Sequence, residues 1–536
     1  MKNILLRNWP LYASVVIFLL LMWLVLTILI GQNQGHFIYA GDDPYINMAV
    51  ARTLAHHGVW GVTPYSFTSA SSTLLWTLLL SLTDVIWAGN RLGPLLWNLL
   101  FAALVLVVGY AILARYKVPP MATFVALLSI ILLVPLPTIV LSGMEHTLQT
   151  LVTFLAVFTA GRVISGDSGV YARRDMILLL ILAPLATSTR FEGMFIIAAI
   201  GALLLLSKRW LFSLGFGVCG ALPVLVHGII SVSHGWFWFP ASVLLKASLP
   251  ESGSGVNFFF SMVNSFFVNA RQAPHMMVLP ISVLLAYIVA SAKGSGWTES
   301  RQVMGAILAF LWAAHLEFVG GSPLYRYDAH LCALSFLYLA AQLPVIVPRF
   351  PPLASLATWT NHQNLACGAL SLVLFIPLAV KGGRLLWYLP LCTTNVYEQQ
   401  YQMGLFVRKY YQGSTVALND IGAVNFLADI HCLDVMGLAT VEVARERRKG
   451  VFGIPEMQSV CKRAGVRIAI IYDTWFPAGV PPEWVRVGRW TIQNNVIDGG
   501  DTVSFYAVNP TEAPYLSQSL TDFSPQLPAD VIQRGQ

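Results

Sequence analysis

Eleven apolar segments, separated by short polar loops, constrain this chain more than any other feature of its sequence. A helix needs about 20 apolar residues to cross the hydrocarbon core of a membrane. Of the 536 residues, 56% are hydrophobic and 11% are charged, and the mean hydropathy is +0.67. This composition excludes a soluble globular protein. The sequence therefore predicts a polytopic α-helical membrane protein with about 11 transmembrane helices.

Charged residues divide the predicted loops into two sides. Lys2 and Arg7 precede the first span, Leu11–Ile30, and lysine or arginine flanks alternate loops after it. Because positively charged loops stay in the cytoplasm, we expect a cytoplasmic amino terminus, a first outward loop over 31–91 and an extracytoplasmic C-terminal region. Topology then explains the net charge of +7, since the basic residues form short clusters and no continuous stripe for nucleic acid.

Ten further spans complete the predicted transmembrane part, which covers 1–383. The apolar segment Thr73–Trp87 is short, and counting it as a span would place Arg115 and Lys117 outside the membrane. We expect a juxtamembrane or re-entrant helix there. The other spans are predicted at Leu92–Leu113, Met121–Leu141, Thr147–Gly161, on both sides of the loop 187–193, and at Leu211–Val232, Met276–Ala292, Val303–Val319, Leu331–Val347 and Leu365–Val380.

From about residue 384 the sequence becomes more polar. Strand-like runs such as 415–418 and 466–471 alternate with helical stretches, so 384–536 is predicted to form an extracytoplasmic α/β domain. Asn419-Asp420 and Asp473 follow such runs. α/β folds often place ligand groups at these positions, and turn or helix-cap residues are common there as well.

Cysteine and histidine spacing predicts no metal site. The sequence has six cysteines and neither a CxxC motif nor a Cys/His cluster. The outward histidines also lack the spacing of metal ligands. Outside the cytoplasm, however, a disulfide between Cys432 and Cys461 is plausible, and we predict it as a hypothesis.

Two adjacent carboxylates in the first outward loop, Asp42 and Asp43, form the leading candidate for a catalytic centre. On a helix, neighbouring side chains point about 100° apart, so the pair cannot share one proton. We expect one aspartate to act as a general base. The other would cap the helix that starts at Pro44, or bind an acceptor or a cation. Simple helix capping on a hydrated loop is the competing interpretation.

Other ionisable and aromatic residues lie at the outward ends of the spans. Ionisable groups at membrane depth are costly unless they are paired or hydrated, so their gathering on one side predicts a polar cavity. Arginine there suits a phosphate, although Arg190 could instead form a structural pair with Glu192 or Glu145. The candidate substrate-binding residues are Arg326, Arg190, Lys246, Glu145, Glu192, Tyr45, Tyr325, Tyr327, Asp328 and His330.

Several short motifs, in one order and on one side of the membrane, resemble the GT-C superfamily of integral-membrane glycosyltransferases, in particular its arabinofuranosyltransferase-like branch. Two departures are Phe191, where the branch has proline, and Pro240-Ala241-Ser242, where Pro-Asn-Thr is more usual. The motifs are Asp42-Asp43-Pro44-Tyr45-Ile46, Ser72-Thr73-Leu74-Leu75-Trp76, Ser142-Gly143-Met144-Glu145, Arg190-Phe191-Glu192-Gly193, and Gly320-Gly321 followed by Tyr325-Arg326-Tyr327.

The resemblance implies an inverting transfer of a sugar, such as an arabinofuranosyl group, from a polyprenyl-phosphate donor to a glycan, lipid or protein acceptor. It places this reaction at the outer face of a bacterial inner membrane. It implies no required cofactor, with a divalent cation optional. Asp43 or Asp42 would be the base, Arg326 with Arg190 or Lys246 would bind the donor phosphate, and the C-terminal domain would help to hold the acceptor.

Two other functions fit part of the same sequence. A transporter or flippase of lipid-linked sugars also needs apolar spans, aromatic residues and a polar cavity. The sequence shows no inverted repeat of the kind found in many transporters, which favours the enzyme. A ligase that moves whole glycan chains is expected to carry a larger outward loop than any between these spans.

Overall fold

The computed structural model describes residues 2–246, 264–271, 275–321, 324, 326–346 and 362–535, and their side chains except those of 2–7, 246 and 362–374. The described chain begins with a bundle of helices. Their bounds are α1 Lys2–Gln32, α2 Asp43–His57, α3 Leu74–Ile86, α4 Gly93–Arg115, α5 Pro120–Leu132, α6 Leu136–Leu141, α7 His146–Ser165, α8 Ala172–Thr189, α9 Gly193–Leu206, α10 Trp210–Ser233, α11 Ala241–Lys246, α12 264–271, α13 His275–Ala292, α14 Ser300–Phe318, α15 Ala329–Ile346 and α16 His362–Val396.

Seven described helical segments are long and apolar enough to cross a membrane, which supports a multi-pass membrane protein. They are Asn8–Gln32 of α1, α4, the broken segment Pro120–Leu141 that comprises α5 and α6, α7, α10, α13 and α15. Helices also stand at the other predicted span positions, as α8, α9, α14 and α16. The count of eleven spans stays a prediction. The short apolar segment after the first loop forms the helix α3.

Helix α7 lies at the centre of the bundle. It packs against α4, α8, α14 and α15, and most of its residues are buried. The turn before it contains Gly143, whose φ of +67° favours glycine and whose missing side chain leaves room for Tyr39 and Pro44 of the first loop. The first loop therefore meets the start of α7.

The C-terminal part is an α/β domain joined to the bundle without a flexible linker. Helix α16 continues through a π-helical turn, Tyr397–Tyr401, into α17. One sheet follows, with strand order β2-β1-β3-β5-β4-β6, in which β2, β1 and β3 are parallel and the remaining pairs are antiparallel. The elements are α17 Gln402–Tyr410, β1 Thr415–Leu418, α18 Gly422–Leu427, β2 His431–Asp434, α19 Val441–Arg448, α20 Ile454–Ala464, β3 Ile468–Ile471, β4 Val485–Thr491, β5 Thr502–Ala507, α21 Ala513–Phe523 and β6 Ile532–Gly535.

The sheet confirms the α/β class and the two strand-like runs, which became β1 and β3. The proposed boundary at 383/384 stays a prediction, and it falls inside the continuous helix α16. Alternating residues of β1 and β3 face two separate apolar cores, one on each side of the sheet. The domain therefore has the usual two-sided cover of a parallel sheet.

The predicted disulfide is wrong, because both of its cysteines are free thiols. Cys432 on β2 packs against the core on one face of the sheet, whereas Cys461 on α20 belongs to the core on the opposite face. The sheet itself separates the two sulfur atoms. Burial raises the pKa of each thiol to about 12, so neither is a reactive thiolate at neutral pH.

Helix α18 docks the C-terminal domain onto α2. The Asp42 carboxylate accepts hydrogen bonds from the backbone N–H groups of Gly422 and Ala423, both at 2.7 Å. At the other end of α18, Arg52 donates to the carbonyl oxygens of Phe426 at 2.7 Å and Asn425 at 3.0 Å. Acceptor oxygens at the start of a helix and a donor at its end satisfy backbone groups that have no partner within the helix. The first loop thus holds α18 at its two ends.

We expect Gly422→Ala to weaken this docking, because a methyl group there would overlap the backbone carbonyl and the carboxylate of Asp42. Overpacking of this kind costs about 1–3 kcal/mol. The measurement is the thermal unfolding midpoint of the detergent-solubilised protein, together with the rate at which a protease releases the C-terminal domain. Gly383→Ala is the control, since nothing lies within 4 Å of its added methyl group. Equal behaviour of the two variants would contradict the docking.

Candidate functional site

The start of α7, the end of α8 and the start of α15 meet the start of α2 in a buried network of charges. Its centre is Arg190, which follows α8 and donates from Nε and Nη2 to the two carboxylate oxygens of Glu192, at 3.1 and 2.7 Å. Its Nη1 donates to Glu145, which precedes α7, at 2.5 Å. Arg190 therefore pairs with both glutamates that the sequence offered as partners. Glu145 is completely buried, so the network forms part of the protein interior.

A second arginine, Arg326, pairs with Asp43. It lies in the loop before α15 and is almost completely buried, and its Nη2 contacts Oδ2 of Asp43. The Asp43 side chain keeps 30% of its surface exposed. The Nε of Arg326 is buried and makes no hydrogen bond. Because an unpaired buried donor is costly, this nitrogen marks a place where a ligand oxygen would be favourable.

Tyr327 lies between the two arginines. Its ring centroid is 4.7 Å from the guanidinium carbon of Arg190 and 5.5 Å from that of Arg326. Such contacts keep both cations in place over an aromatic face. The structure thus brings together five of the ten predicted substrate-binding residues beside Asp43, namely Glu145, Arg190, Glu192, Arg326 and Tyr327.

The two adjacent aspartates separate into two environments. Asp42 stands at the start of α2 and makes no side-chain hydrogen bond to that helix, so it does not supply the helix cap that was one alternative for the second aspartate. It caps α18 of the C-terminal domain instead. Burial raises the pKa of the Asp42 carboxyl to about 8, and the nearby carboxyl of Asp420 adds to the increase. Of the two aspartates, Asp43 is the one paired with Arg326 of the charged network, and 30% of its side-chain surface is exposed.

A small pocket opens beside Arg190 and Tyr327, between α7, α9, α14 and α15. Two histidine nitrogens of its lining, Nε2 of His315 and Nδ1 of His330, are buried without a hydrogen-bond partner. Nε2 of His146 is likewise unpaired, and its ring lies 5.9 Å from that of Tyr327. The pocket is lined by Gln149, Arg190, Glu192, Phe195, Ile196, Leu311, His315, Val319, Tyr327, His330 and Leu331.

His315 is a residue of this pocket that the sequence analysis missed. The sequence contained a sign of this role, since His315 lies within the predicted span Val303–Val319 and ionisable residues within spans usually serve a function. The walls combine polar side chains with apolar ones such as Leu311 and Leu331. The pocket therefore has both polar and apolar walls.

Asp328 faces away from this pocket and anchors the loop that carries Arg326. Its Oδ2 contacts Nε2 of His275 and lies 3.3 Å from Nζ of Lys381. Lys381 is a buried lysine within α16 that the sequence analysis did not select. It also lies 3.1 Å from Nε2 of His275 and 4.0 Å from Sγ of Cys332. His275, Asp328 and Cys332 have the donor atoms of a metal site, but the Lys381 ammonium already occupies the place of a cation among them.

Three predicted site residues lie outside this charged network or outside the described residues. Tyr325 and the side chain of Lys246 lie outside the described residues, so their roles stay predictions. Tyr45 is buried, its hydroxyl accepts a hydrogen bond from the backbone N–H of Tyr39 at 3.2 Å, and its ring packs against that of Phe426. This tyrosine shapes the first loop and its contact with α18.

Solved structures with the same arrangement of elements are GT-C glycosyltransferases. ArnT from Cupriavidus metallidurans bound to undecaprenyl phosphate matches with a TM-score of 0.54 and 13% identity, over 94% of this chain and 99% of that one. Its apo state also matches with a TM-score of 0.54, at 12% identity over 95% and 99% of the two chains. The Archaeoglobus fulgidus oligosaccharyltransferase complex with Zn and sulfate matches with a TM-score of 0.50 and 11% identity, over 96% and 74%. The chain therefore has the GT-C fold.

Sequence comparisons add one family. Residues 394–506 match the family described as domain of unknown function DUF8728, which covers the end of α16 and most of the C-terminal domain. No curated protein matches the sequence. The fold is thus established by structural likeness, and the chemistry has to be argued from the residues of this chain.

We expect Glu145→Gln to destabilise the protein by about 1–3 kcal/mol, because Arg190 is buried and would lose one of its two anionic partners. The control is Glu442→Gln, which breaks the pair of Glu442 with Arg463 at 2.8 Å, in which both side chains are more than half exposed. Exposed pairs contribute at most about 1 kcal/mol. Thermal unfolding in detergent measures both changes, and a larger loss in the control would refute the structural role of Arg190.

Proposed function

We propose that this protein is a membrane glycosyltransferase that uses a polyprenyl-phosphate sugar, with Asp43 as the general base. The observation that carries the proposal is the position of Asp43, a partly exposed carboxylate paired with a buried arginine. This arginine adjoins the amphipathic pocket through Tyr327. The GT-C fold supports the assignment, because a neighbour of this fold has been solved with undecaprenyl phosphate bound.

The donor phosphate is assigned to Arg326. Arg190 already holds two carboxylates, so we assign it to the framework of the pocket, whereas Arg326 has one described carboxylate partner and an unpaired Nε. His315 and His330 offer further polar nitrogens, and Leu311 and Leu331 offer an apolar wall for the first isoprenyl unit. Lys246, the last residue of α11, remains a candidate for the same phosphate.

The pairing of Arg326 with Asp43 implies that the donor binds before the acceptor hydroxyl loses its proton. A donor phosphate and the Asp43 carboxylate compete for the same guanidinium, so binding of the donor releases the carboxylate. The Asp43 carboxylate then accepts the proton of an acceptor hydroxyl. The acceptor oxygen attacks the anomeric carbon, the bond from that carbon to the phosphate oxygen breaks, and polyprenyl phosphate leaves. Attack opposite to the leaving group inverts the configuration.

The finer assignments rest on the sequence motifs. The likeness to the arabinofuranosyltransferase-like branch favours a pentofuranosyl donor such as an arabinofuranosyl phosphate lipid. The acceptor would be a glycan, lipid or protein at the outer face of the bacterial inner membrane, with the C-terminal domain outside. We propose no required cofactor, and a divalent cation stays optional.

We expect Asp43→Asn to lower transfer from a radiolabelled polyprenyl-phosphate pentofuranose by about 10²–10⁴-fold, the usual contribution of proton abstraction. Its unfolding midpoint should also fall, because Arg326 is buried and loses its described carboxylate partner, so turnover is compared per amount of folded protein. Asp42→Asn is the matched control: it should lower the unfolding midpoint, since it weakens the cap of α18, and should keep more turnover than Asp43→Asn.

Equal turnover in the wild type and Asp43→Asn would reject Asp43 as the base. A hexosyl donor is assayed in parallel, because it would reveal a transferase with a different sugar. If no donor supports transfer, the same purified protein in liposomes is tested for movement of the lipid-linked sugar between leaflets. Protein-dependent movement without transfer would replace the enzyme by a flippase.

A further inference from the structure

A basic helix of the C-terminal domain, α19, lies against the loop 234–240 that follows α10. Nη2 of Arg445 donates to the carbonyl oxygen of Gly235, and the guanidinium carbon of Arg448 is 5.3 Å from the ring centroid of Phe237. Trp236 of the loop and Ala444 of α19 are buried in one small apolar cluster. The contact is therefore packed as well as polar, and it fixes α19 at the end of α10.

The exposed apolar face of α10 shows where the membrane surface lies. This helix is long and apolar enough to span a membrane, and Ile229, Ile230 and Val232 near its end are between 45% and 61% exposed. Exposed aliphatic side chains on a spanning helix face lipid, so the hydrocarbon extends to about Val232. Gly235 is three residues further on, roughly 5 Å along a helix, and the head-group layer is about 5–8 Å thick. The side chains of α19 that contact the loop therefore lie at the level of the lipid head groups.

Aromatic side chains of the loop mark the same level. The ring of Trp238 lies against the backbone of α10 at Gly228, where an added side chain would overlap it. Trp238 and Phe239 are 40% and 42% exposed. Tryptophan is enriched at the boundary between hydrocarbon and water, because its ring is apolar and its N–H is polar. These rings thus have the position of a membrane-interface belt.

The exposed cations of α19 are not neutralised by the protein. Arg445 and Arg448 of this helix and Lys449 after it are exposed, and none of them takes part in an ion pair among the described residues. The acids of the same helix are Glu446 and Glu442, and Glu442 pairs with an arginine of α20. The positive-inside rule does not account for these cations, because it acts on short loops beside spans and not on folded domains. Their positive charge is therefore directed at something outside the chain.

We propose that these cations and rings form a binding surface for the head groups of anionic phospholipids. The guanidinium and ammonium groups are complementary to a lipid phosphate, and each cation near an anionic membrane surface strengthens binding about fivefold. A phospholipid is favoured over free phosphate, because the exposed rings beside the cations contact its acyl chains. The inference does not depend on the proposed reaction. We call this surface the interfacial patch, and its residues are Phe237, Trp238, Phe239, Arg445, Arg448 and Lys449.

The interfacial patch is connected to the candidate site through one aromatic contact. The ring of Phe239 packs edge-on against that of Phe191, with centroids 6.4 Å apart, and Phe191 is the residue after Arg190. A lipid bound at the patch holds the loop that packs behind Arg190. It also holds α19, and with it the C-terminal domain, on the membrane surface. The phospholipid is thus a structural partner of the protein and not a substrate.

Hydrogen–deuterium exchange of the full-length protein in nanodiscs tests this proposal, because it reports on the patch itself. Peptides covering 234–240 and 441–450 are compared in phosphatidylcholine and in phosphatidylcholine mixed with phosphatidylglycerol. We expect the anionic lipid to slow their exchange at least about fivefold, the effect of one cation at an anionic surface. Arg448→Gln combined with Lys449→Gln should remove this protection. Arg445 is left intact, because its loss would also break the hydrogen bond that holds the loop.

Arg408→Gln combined with Lys409→Gln is the matched control. It removes the same two charges from an adjacent arginine and lysine, which are also exposed, in the last turn of α17. That turn packs against α21 through Tyr410 and Phe523. The control should keep the lipid-dependent protection, and both variants should keep the wild-type unfolding midpoint, because all four side chains are exposed.

Three results would overturn the proposal. Equal exchange in the two lipid mixtures would leave the cations as a solvated face of the domain. Protection that persists in Arg448→Gln with Lys449→Gln would show that the anionic lipid acts elsewhere. Equal protection by inorganic phosphate in phosphatidylcholine nanodiscs would make free phosphate the ligand.

Discussion

The contact of Asp42 with the start of α18 determines how the rest of this molecule is arranged. One carboxylate receives two backbone N–H groups from a domain almost 400 residues away, and Arg52 completes the contact at the opposite end of the helix. This arrangement uses the backbone dipole in place of an ion pair, so the contact needs no cation from the C-terminal domain. It fixes Asp43, the next residue, between the membrane bundle and the sheet.

The two buried arginines have different roles, which the sequence alone could not separate. Arg190 holds Glu145 and Glu192 and gives the pocket its shape, whereas Arg326 pairs with Asp43, whose side chain is 30% exposed. Buried ion pairs contribute little net stability relative to apolar packing, because the charges lose their hydration. Such an expensive network, kept at the meeting point of four helices, is therefore better explained by the chemistry of a charged ligand.

Much of the architecture was predictable because hydrophobic runs and β-branched runs report local structure. The helices at the predicted spans, the strands β1 and β3, and the grouping of Asp43, Glu145, Arg190, Glu192 and Arg326 were all anticipated from the sequence. The partner of Asp42 was not, since a cap on a distant helix leaves no local pattern. His315 and Lys381 were not anticipated, because the candidate residues were drawn from the outward loops and span ends, whereas these two lie within α14 and α16. The Cys432–Cys461 bridge failed because sequence spacing says nothing about which face of a sheet a residue occupies.

The unbroken helix from α16 through the π-helical turn into α17 has a consequence for how this protein tolerates change. Lys381 in the middle of α16 secures the loop of Arg326, and Gln400 in the π-helical turn donates to Asp420 and Tyr472 of the C-terminal domain. Each residue added to a helix turns everything beyond it by about 100°. The number of residues between Lys381 and Gln400 is therefore fixed. Homologous chains should vary in length in the surrounding loops but carry no insertion or deletion between these two positions.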